Sequence, residues 1–180
     1  MENARNKVFG ITLGDAAGIG PELIVKMLNN ENVRNIATWL VVGDLRVFQQ
    51  GQLIAGMDLN INVIDSYEQL VEQNGQIYFI DLKNLSPEEY ELGKVSAKAG
   101  KVTGDTLKYI DISKNHKLDG VLYAPLNKEA MQKGGLKFKD ELHFFADLLE
   151  SEHGFGEINI MDGLWVTRVT SHIPMKEVSE

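Results

Sequence analysis

Four short segments combine residue types and spacing that could do chemistry. In Ile11-Thr12-Leu13-Gly14-Asp15-Ala16-Ala17-Gly18-Ile19-Gly20-Pro21-Glu22, a strand feeds a glycine-rich loop that opens a helix. Free backbone N–H groups and the dipole at such a helix start favour an anion. The spacing is neither G-x-G-x-x-G nor a P-loop, and Asp15 beside the loop opposes a phosphate. On pattern alone, a plain tight connection and a ligand loop are equally good readings. In Tyr123-Ala124-Pro125-Leu126-Asn127-Lys128 a buried strand ends in proline and a lysine follows in the next turn. Pattern alone favours a solvated lysine there. Asp140-Glu141-Leu142-His143 opens a helix, with Asp140 suited to the N-cap and Glu141 to solvent. His143 follows two residues on, about 200° round that helix. His172, in Thr170-Ser171-His172-Ile173-Pro174-Met175, stands at a strand end with no second ligand near it in sequence. A lone histidine so placed is more often structural than a metal ligand. His116 and His153 lie in polar and glycine-rich loops and read as surface residues.

The bulk of the chain narrows the partners. Eighteen basic residues against 26 acidic ones give a net charge of −8 over 180 residues. That balance argues against a nucleic-acid face, which must be basic, but leaves room for a local basic spot that binds a small anion. There is no cysteine, so a metal would have to be held by His, Asp or Glu. Met1 to Lys7 is polar and leads straight into a strand, and no apolar run is long enough to span a bilayer. The expectation is a cytoplasmic protein with no membrane and no nucleic-acid partner.

The elements that must position these segments alternate in type. Val8–Thr12, Trp39–Val42, Ile61–Ile64, Ile77–Leu82 and Gly120–Ala124 read as strands, several of them continuous apolar runs. Between them, a helix after Pro21 places Leu23, Ile24, Met27 and Leu28 on one face. Asp44 caps a second helix with Leu45, Phe48 and Leu53 inward, and Ser66 to Gln69 has capping-box spacing. A long helix runs over Ser96–Ser113 with Val102, Leu107 and Ile110 inward. This predicts an α/β fold with a largely parallel sheet covered on both faces, and ligands beyond the carboxyl ends of the strands. Asp15 and Lys128 both follow strand ends, so both are expected at one cleft. After Lys128 the pattern changes. Asp140–Glu150 reads as a helix with a stripe of Leu142, Phe145, Ala146 and Leu149. Glu157–Met161 and Leu164–Thr170 read as a hairpin turning at Asp162-Gly163. Residues 1–129 are therefore expected to form a first α/β domain and 130–180 the start of a second. Met175–Glu180 opens like a helix, and a second domain of about 50 residues is small for a core. The chain reads as part of a longer protein.

These segments carry a resemblance. The string from Ile11 to Glu22 resembles the opening signature of the 4-hydroxythreonine-4-phosphate dehydrogenase family, matching it at ten of twelve positions, with Leu13 and Ala16 in place of family prolines. Pro125-Leu126-Asn127-Lys128 resembles the family's Gly-Pro-x-His/Asn-Lys segment, and Ser96-Ala97-Lys98-Ala99-Gly100 is similar to a family helix start. Thr170 to Met175 is similar to the family's Thr-Thr-His-Ile/Leu-Pro-Leu. At Glu141 and Leu142 the chain departs from the His-Thr pair that, in the enzyme naming the family, contacts the phosphorylated substrate.

The resemblance runs through essentially the whole chain. It implies a two-domain, isopropylmalate-dehydrogenase-like architecture with the site in the interdomain cleft. It further implies NAD or NADP and a divalent metal (zinc, magnesium or cobalt) as cofactors, and a homodimer. By the same resemblance, Lys128 and Asp15 are the catalytic candidates. Asp140, Glu141, Leu142 and His143 are the substrate-binding candidates, and His172 is one of three metal histidines, the other two lying beyond residue 180. The expected activity is oxidation, with possible decarboxylation, of a phosphorylated four-carbon hydroxy acid. One alternative is the same fold acting on an unphosphorylated diol acid, such as an aromatic cis-dihydrodiol carboxylate. The other is a truncated chain that only dimerises or binds ligand.

Overall fold

In the computed structural model the described residues are 6–110, 118–137, 141–148, 151, 155–168, 170, 174 and 176. The chain divides into two compact units, Met1–Lys137 and Phe138–Glu180. Among the described residues no helix is long and apolar enough to cross a membrane.

The first unit is built on five parallel strands: β1 (Val8–Thr12), β2 (Thr38–Gly43), β3 (Asn62–Ile64), β4 (Ile77–Asp81) and β5 (Gly120–Tyr123). Their order is β3-β4-β2-β1-β5. Every residue of β2 is buried, as its Thr-Trp-Leu-Val-Val-Gly run predicts for a strand covered on both faces. The pleat sends alternate residues to opposite faces. Ile11, Trp39, Val41, Ile77 and Phe79 share one core with Ile24, Val25 and Leu28 of helix α1 (Gly20–Asn29) and Val47 and Phe48 of α3 (Leu45–Ala55). The short α2 (Glu31–Arg34) joins α1 to β2. Val8, Leu40, Val42, Tyr78 and Ile80 meet Ile110 and Leu118 on the other face. Ile110 follows α4 (Ala97–Tyr109), and α5 (Lys128–Lys133) follows β5.

Several local expectations are corrected. Leu53 is 82% exposed and Leu23 is 37% exposed, so neither faces the core. Leu53 lies five residues after Phe48, about 140° round the helix, and the inward face of α3 is Val47, Phe48 and Gly51. Ser66 makes no side-chain cap; the element after it is a single 3-10 turn over Tyr67–Gln69, and Gln69 Oε1 instead accepts from the Asp65 N–H at 2.8 Å. The reciprocal capping box forms at Ser86 and Glu89. Finally, β5 is not a buried strand. It is the edge of the sheet next to β1, and Leu122 and Tyr123 are exposed. The last residues expected in the long helix, 111–113, lie outside the described residues.

The second unit contains α6 (Glu141–Leu148) and an antiparallel hairpin of β6 (Ile158–Met161) and β7 (Leu164–Thr167). Met161 pairs with Leu164 across a turn in which Gly163 adopts φ 73°, as the Asp-Gly signal predicts. On α6 the buried side chain is Phe144, which the sequence stripe omitted; Leu142, Phe145 and Ala146 are half-buried. All residues of both hairpin strands are exposed. Leu149 and most of Met175–Glu180 lie outside the described residues.

Candidate functional site

The strand order creates a switch point. From β1 the chain runs through β2 to the edge at β3, returns to β4 between β3 and β2, then crosses through α4 to β5 on the other side of β1. Ligands in open parallel sheets bind outside the carboxyl ends at such points. Here those ends are the loop after Thr12 and the segment after Tyr123, which are the first two motifs of the sequence.

The two segments are joined by backbone. Gly14 takes φ 70°, and a Cβ there would lie 2.6 Å from the Pro125 carbonyl oxygen and 2.7 Å from that of Ala124. Only glycine fits both that conformation and that approach. The Asp15 N–H then donates to the Pro125 oxygen at 3.0 Å. Asp15 itself is buried; its Oδ1 accepts from the Ala17 N–H at 3.1 Å, and its carbonyl accepts from Gly18 at 3.0 Å. The Gly14 carbonyl accepts from Thr103 Oγ1 of α4 at 3.1 Å, and Gly93 donates to Ala17 O at 2.8 Å.

Lys128 is the first residue of α5, which Asn127 caps by accepting from the Ala130 N–H at 3.0 Å. Lys128 is exposed. Its helix packs tightly on α4: a Cβ on Gly100 would stand 2.0 Å from the Ala130 oxygen. The structure thus brings the Asp15 loop and the Lys128 segment to the same end of neighbouring strands.

A third group, legible in sequence only as a helix cap, stands at the end of β2. Asp44 is 3% exposed. It caps α3 through the Arg46 N–H at 3.0 Å, takes the Arg46 guanidinium on both carboxylate oxygens at 2.9 and 2.8 Å, and accepts from the Leu85 N–H at 2.8 Å. Burial pushes its pKa up, but Arg46 and the two amides outweigh that and hold it below the ordinary carboxylate value. Arg46 is held above its usual value by Asp44 in turn. Nearby, the Tyr90 hydroxyl donates to Gln50 Oε1 at 2.5 Å. Its pKa is raised to about 12, first by burial and then by the Asp44 and Asp15 carboxylates, so the phenol stays protonated at neutral pH. Lys98, in the first turn of α4, pairs with Glu89 and lowers its pKa. Nothing in sequence spacing links Asp44 to Leu85, 41 residues on; only the β2–β4 pairing brings them together. Between these groups lies an apolar recess of about 20 Å³ lined by Thr12, Gly14, Asp44, Leu85, Ala99 and Thr103, too small for a substrate.

The other candidates sit in the second unit. His143 of α6 is exposed and meets the Phe155 ring edge-on at 5.5 Å, and Leu142 is half-buried. Glu141 begins α6, and its side chain lies outside the described part, as do Asp140, His172, His116 and His153. Among the described residues no group of three or more His, Asp or Glu could hold a metal. The Asp15 and Asp44 carboxylates are engaged by amides and, for Asp44, by Arg46. The described residues therefore do not make a metal site by themselves.

Comparison with known proteins covers both units. Residues 35–180 match the family described as pyridoxal phosphate biosynthetic protein PdxA. A D-threonate 4-phosphate dehydrogenase from Cupriavidus necator is 39% identical over 173 residues, covering 92% of this chain and 50% of that protein. A Pasteurella multocida protein, provisionally named 4-hydroxythreonine-4-phosphate dehydrogenase, is 38% identical over 172 residues, covering 93% of this chain and 51% of that one. The crystal structure of a 4-hydroxythreonine-4-phosphate dehydrogenase from Burkholderia phymatum superposes with a TM-score of 0.82 at 32% identity, over 96% of this chain and 52% of that one. The chain spans about half the length of the curated relatives it matches.

Proposed function

The chain belongs to the PdxA family, and from that premise we propose that it supplies the first half of a dehydrogenase acting on a phosphorylated hydroxy acid. The observation that carries this reading is the joining of the Asp15 loop to the Lys128 segment at the carboxyl ends of β1 and β5. It is supported by relatives named for 4-hydroxythreonine 4-phosphate and D-threonate 4-phosphate. In this reading NAD or NADP accepts a hydride from a secondary alcohol carbon, and a β-keto acid so formed can lose carbon dioxide. Lys128, exposed at the start of α5, binds an anionic group of the substrate or orients water. Asp15 offers a carboxylate, held in place by its loop, that can hydrogen-bond the substrate alcohol. Asp140, Glu141, Leu142 and His143 are the residues we assign to substrate binding. A divalent metal (zinc, magnesium or cobalt) with His172 as one ligand, a two-domain isopropylmalate-dehydrogenase-like architecture, a homodimer and a cytoplasmic location complete the proposal.

The test uses a chain of the relatives' length: this sequence joined to the second half of the Cupriavidus necator relative. Reduction of NAD and NADP is measured with D-threonate 4-phosphate, 4-hydroxythreonine 4-phosphate, their unphosphorylated counterparts and a cis-dihydrodiol carboxylate. The phosphorylated acids should be turned over best, and Lys128→Ala should lower kcat/KM about 100-fold. Equal or better turnover of the unphosphorylated acids would overturn the substrate class. Residues 1–180 alone should show no turnover; activity comparable to the long chain would show that the site is complete within them.

A further inference from the structure

We propose that Thr103 is a positioning residue of this site, holding the Gly14–Asp15 peptide in the orientation that presents Asp15; the proposal rests on the functional reading above. Thr103 lies inside α4 and is 4% exposed. Its hydroxyl shares its one proton between two carbonyl acceptors, Ala99 O at 2.9 Å and Gly14 O at 3.1 Å. The bond to Ala99 is the i−4 contact open to any helical threonine. The bond to Gly14 crosses 89 positions of sequence and reaches the residue of the loop with positive φ.

That one peptide unit is anchored at both ends. Its carbonyl, on Gly14, is held by α4 through Thr103. Its N–H, on Asp15, is held by the β5 exit through the Pro125 oxygen. A peptide is planar, so anchoring both ends fixes its rotation, and with it the direction in which the Asp15 chain leaves. The same helix seats α5 one turn earlier, where Gly100 lies against Ala130. The Asp15 loop and the helix that begins at Lys128 are therefore both referenced to α4. Without the hydroxyl, the peptide keeps only the Pro125 anchor. Glycine, with free access to either sign of φ, gives no resistance to its turning.

The experiment compares Thr103→Val, which replaces the hydroxyl by a methyl, with Thr103→Ser, which keeps the hydroxyl and drops the methyl. In the chain of the relatives' length, with D-threonate 4-phosphate, Thr103→Val should lower kcat about tenfold or more while KM changes about threefold or less. Thr103→Ser should restore kcat to within about threefold of the parent. The Asp15 amide should exchange with solvent about tenfold faster in Thr103→Val than in the parent, and at the parent rate in Thr103→Ser. A valine variant within about twofold of the parent in kcat, a serine variant as slow as valine, or unchanged Asp15 exchange would each overturn the inference. If the long parent chain turns over no hydroxy acid at all, the proposed function fails. The exchange measurement on residues 1–180 then decides the Thr103 claim alone, and parent-like exchange in the valine variant ends it.

Discussion

The parallel sheet and the hairpin are made of the same kinds of residue and meet opposite fates. Phe79 in β4 is fully buried and Trp165 in β7 is 71% exposed. Ile11 and Val41 are fully buried, whereas Ile160 and Val166 are 62% and 44% exposed. In the first unit both faces of the sheet find cover within the chain, α1 and α3 on one side and Ile110 and Leu118 on the other. In the second, every residue of the two strands is exposed, and an isolated two-stranded ribbon is marginally stable at best. Apolar strand composition thus specifies that a strand forms; it does not specify what it packs against. The functional counterpart is that Asp15 and the start of Lys128's helix are tied to a rigid frame of named contacts. The candidates at Leu142 and His143 sit in a unit where, among the described residues, only Phe144 is buried.

The comparison breaks most easily at the core. Phe79→Ala should destabilise the first unit by about 3–5 kcal/mol, from lost burial plus a cavity, read as a lower urea midpoint for loss of far-UV signal. A change under about 1 kcal/mol would mean that the sheet is less tightly packed than its burial indicates. Next, Gly100→Ala forces a Cβ against the Ala130 backbone and should cost about 3 kcal/mol, since backbone on both sides leaves no flexible side chain to yield. If the midpoint is unchanged, the α4–α5 contact is not the reference for Lys128. Asp44→Asn should cost about 2 kcal/mol at neutral pH, by removing a charge-assisted fork and an amide acceptor. Because the folded pKa of Asp44 lies below its ordinary 3.8, this contribution is present above that value and is lost as pH falls through the lowered pKa. The urea midpoints of parent and variant should therefore differ at pH 7 and converge as the pH is taken below the carboxylate range; a gap that widens with acid would contradict the assigned direction. The smallest effect belongs to the hairpin. Trp165→Ser should move the midpoint by no more than about 0.5 kcal/mol while lowering self-association of residues 1–180 in sedimentation. A loss as large as that of Phe79→Ala would erase the contrast between the two units.

How much was legible in sequence follows the same division. The buried strands β1, β2 and β4, the helix start at Pro21, the Asp44 cap and the Asp162-Gly163 hairpin were all readable, because each depends on local chemistry or on a period of two. The inward faces were read less well. Leu23 and Leu53 are apolar and near the right spacing, but a helix of ten or eleven residues presents one narrow stripe, and its rotation is set by the sheet below it. Ser66 and Ser86 carry similar capping patterns, and only Ser86 closes the box; the pattern is local but the chain path that permits it is not.

For the candidate site, the residue types at the strand ends were legible in sequence: a glycine-rich loop with Asp15 after β1, and a lysine in the turn after Pro125. It could not say that β5 would lie at the edge next to β1, nor that Gly14 would therefore approach Pro125 closely enough to exclude a Cβ. It also could not say that Asp44 would bind Leu85 or that Thr103 would reach Gly14, because 41 and 89 residues separate those partners. Strand order and helix seating are decided by which apolar faces find each other across the whole chain. The hydrogen bonds that aim the site are formed only after that choice is made.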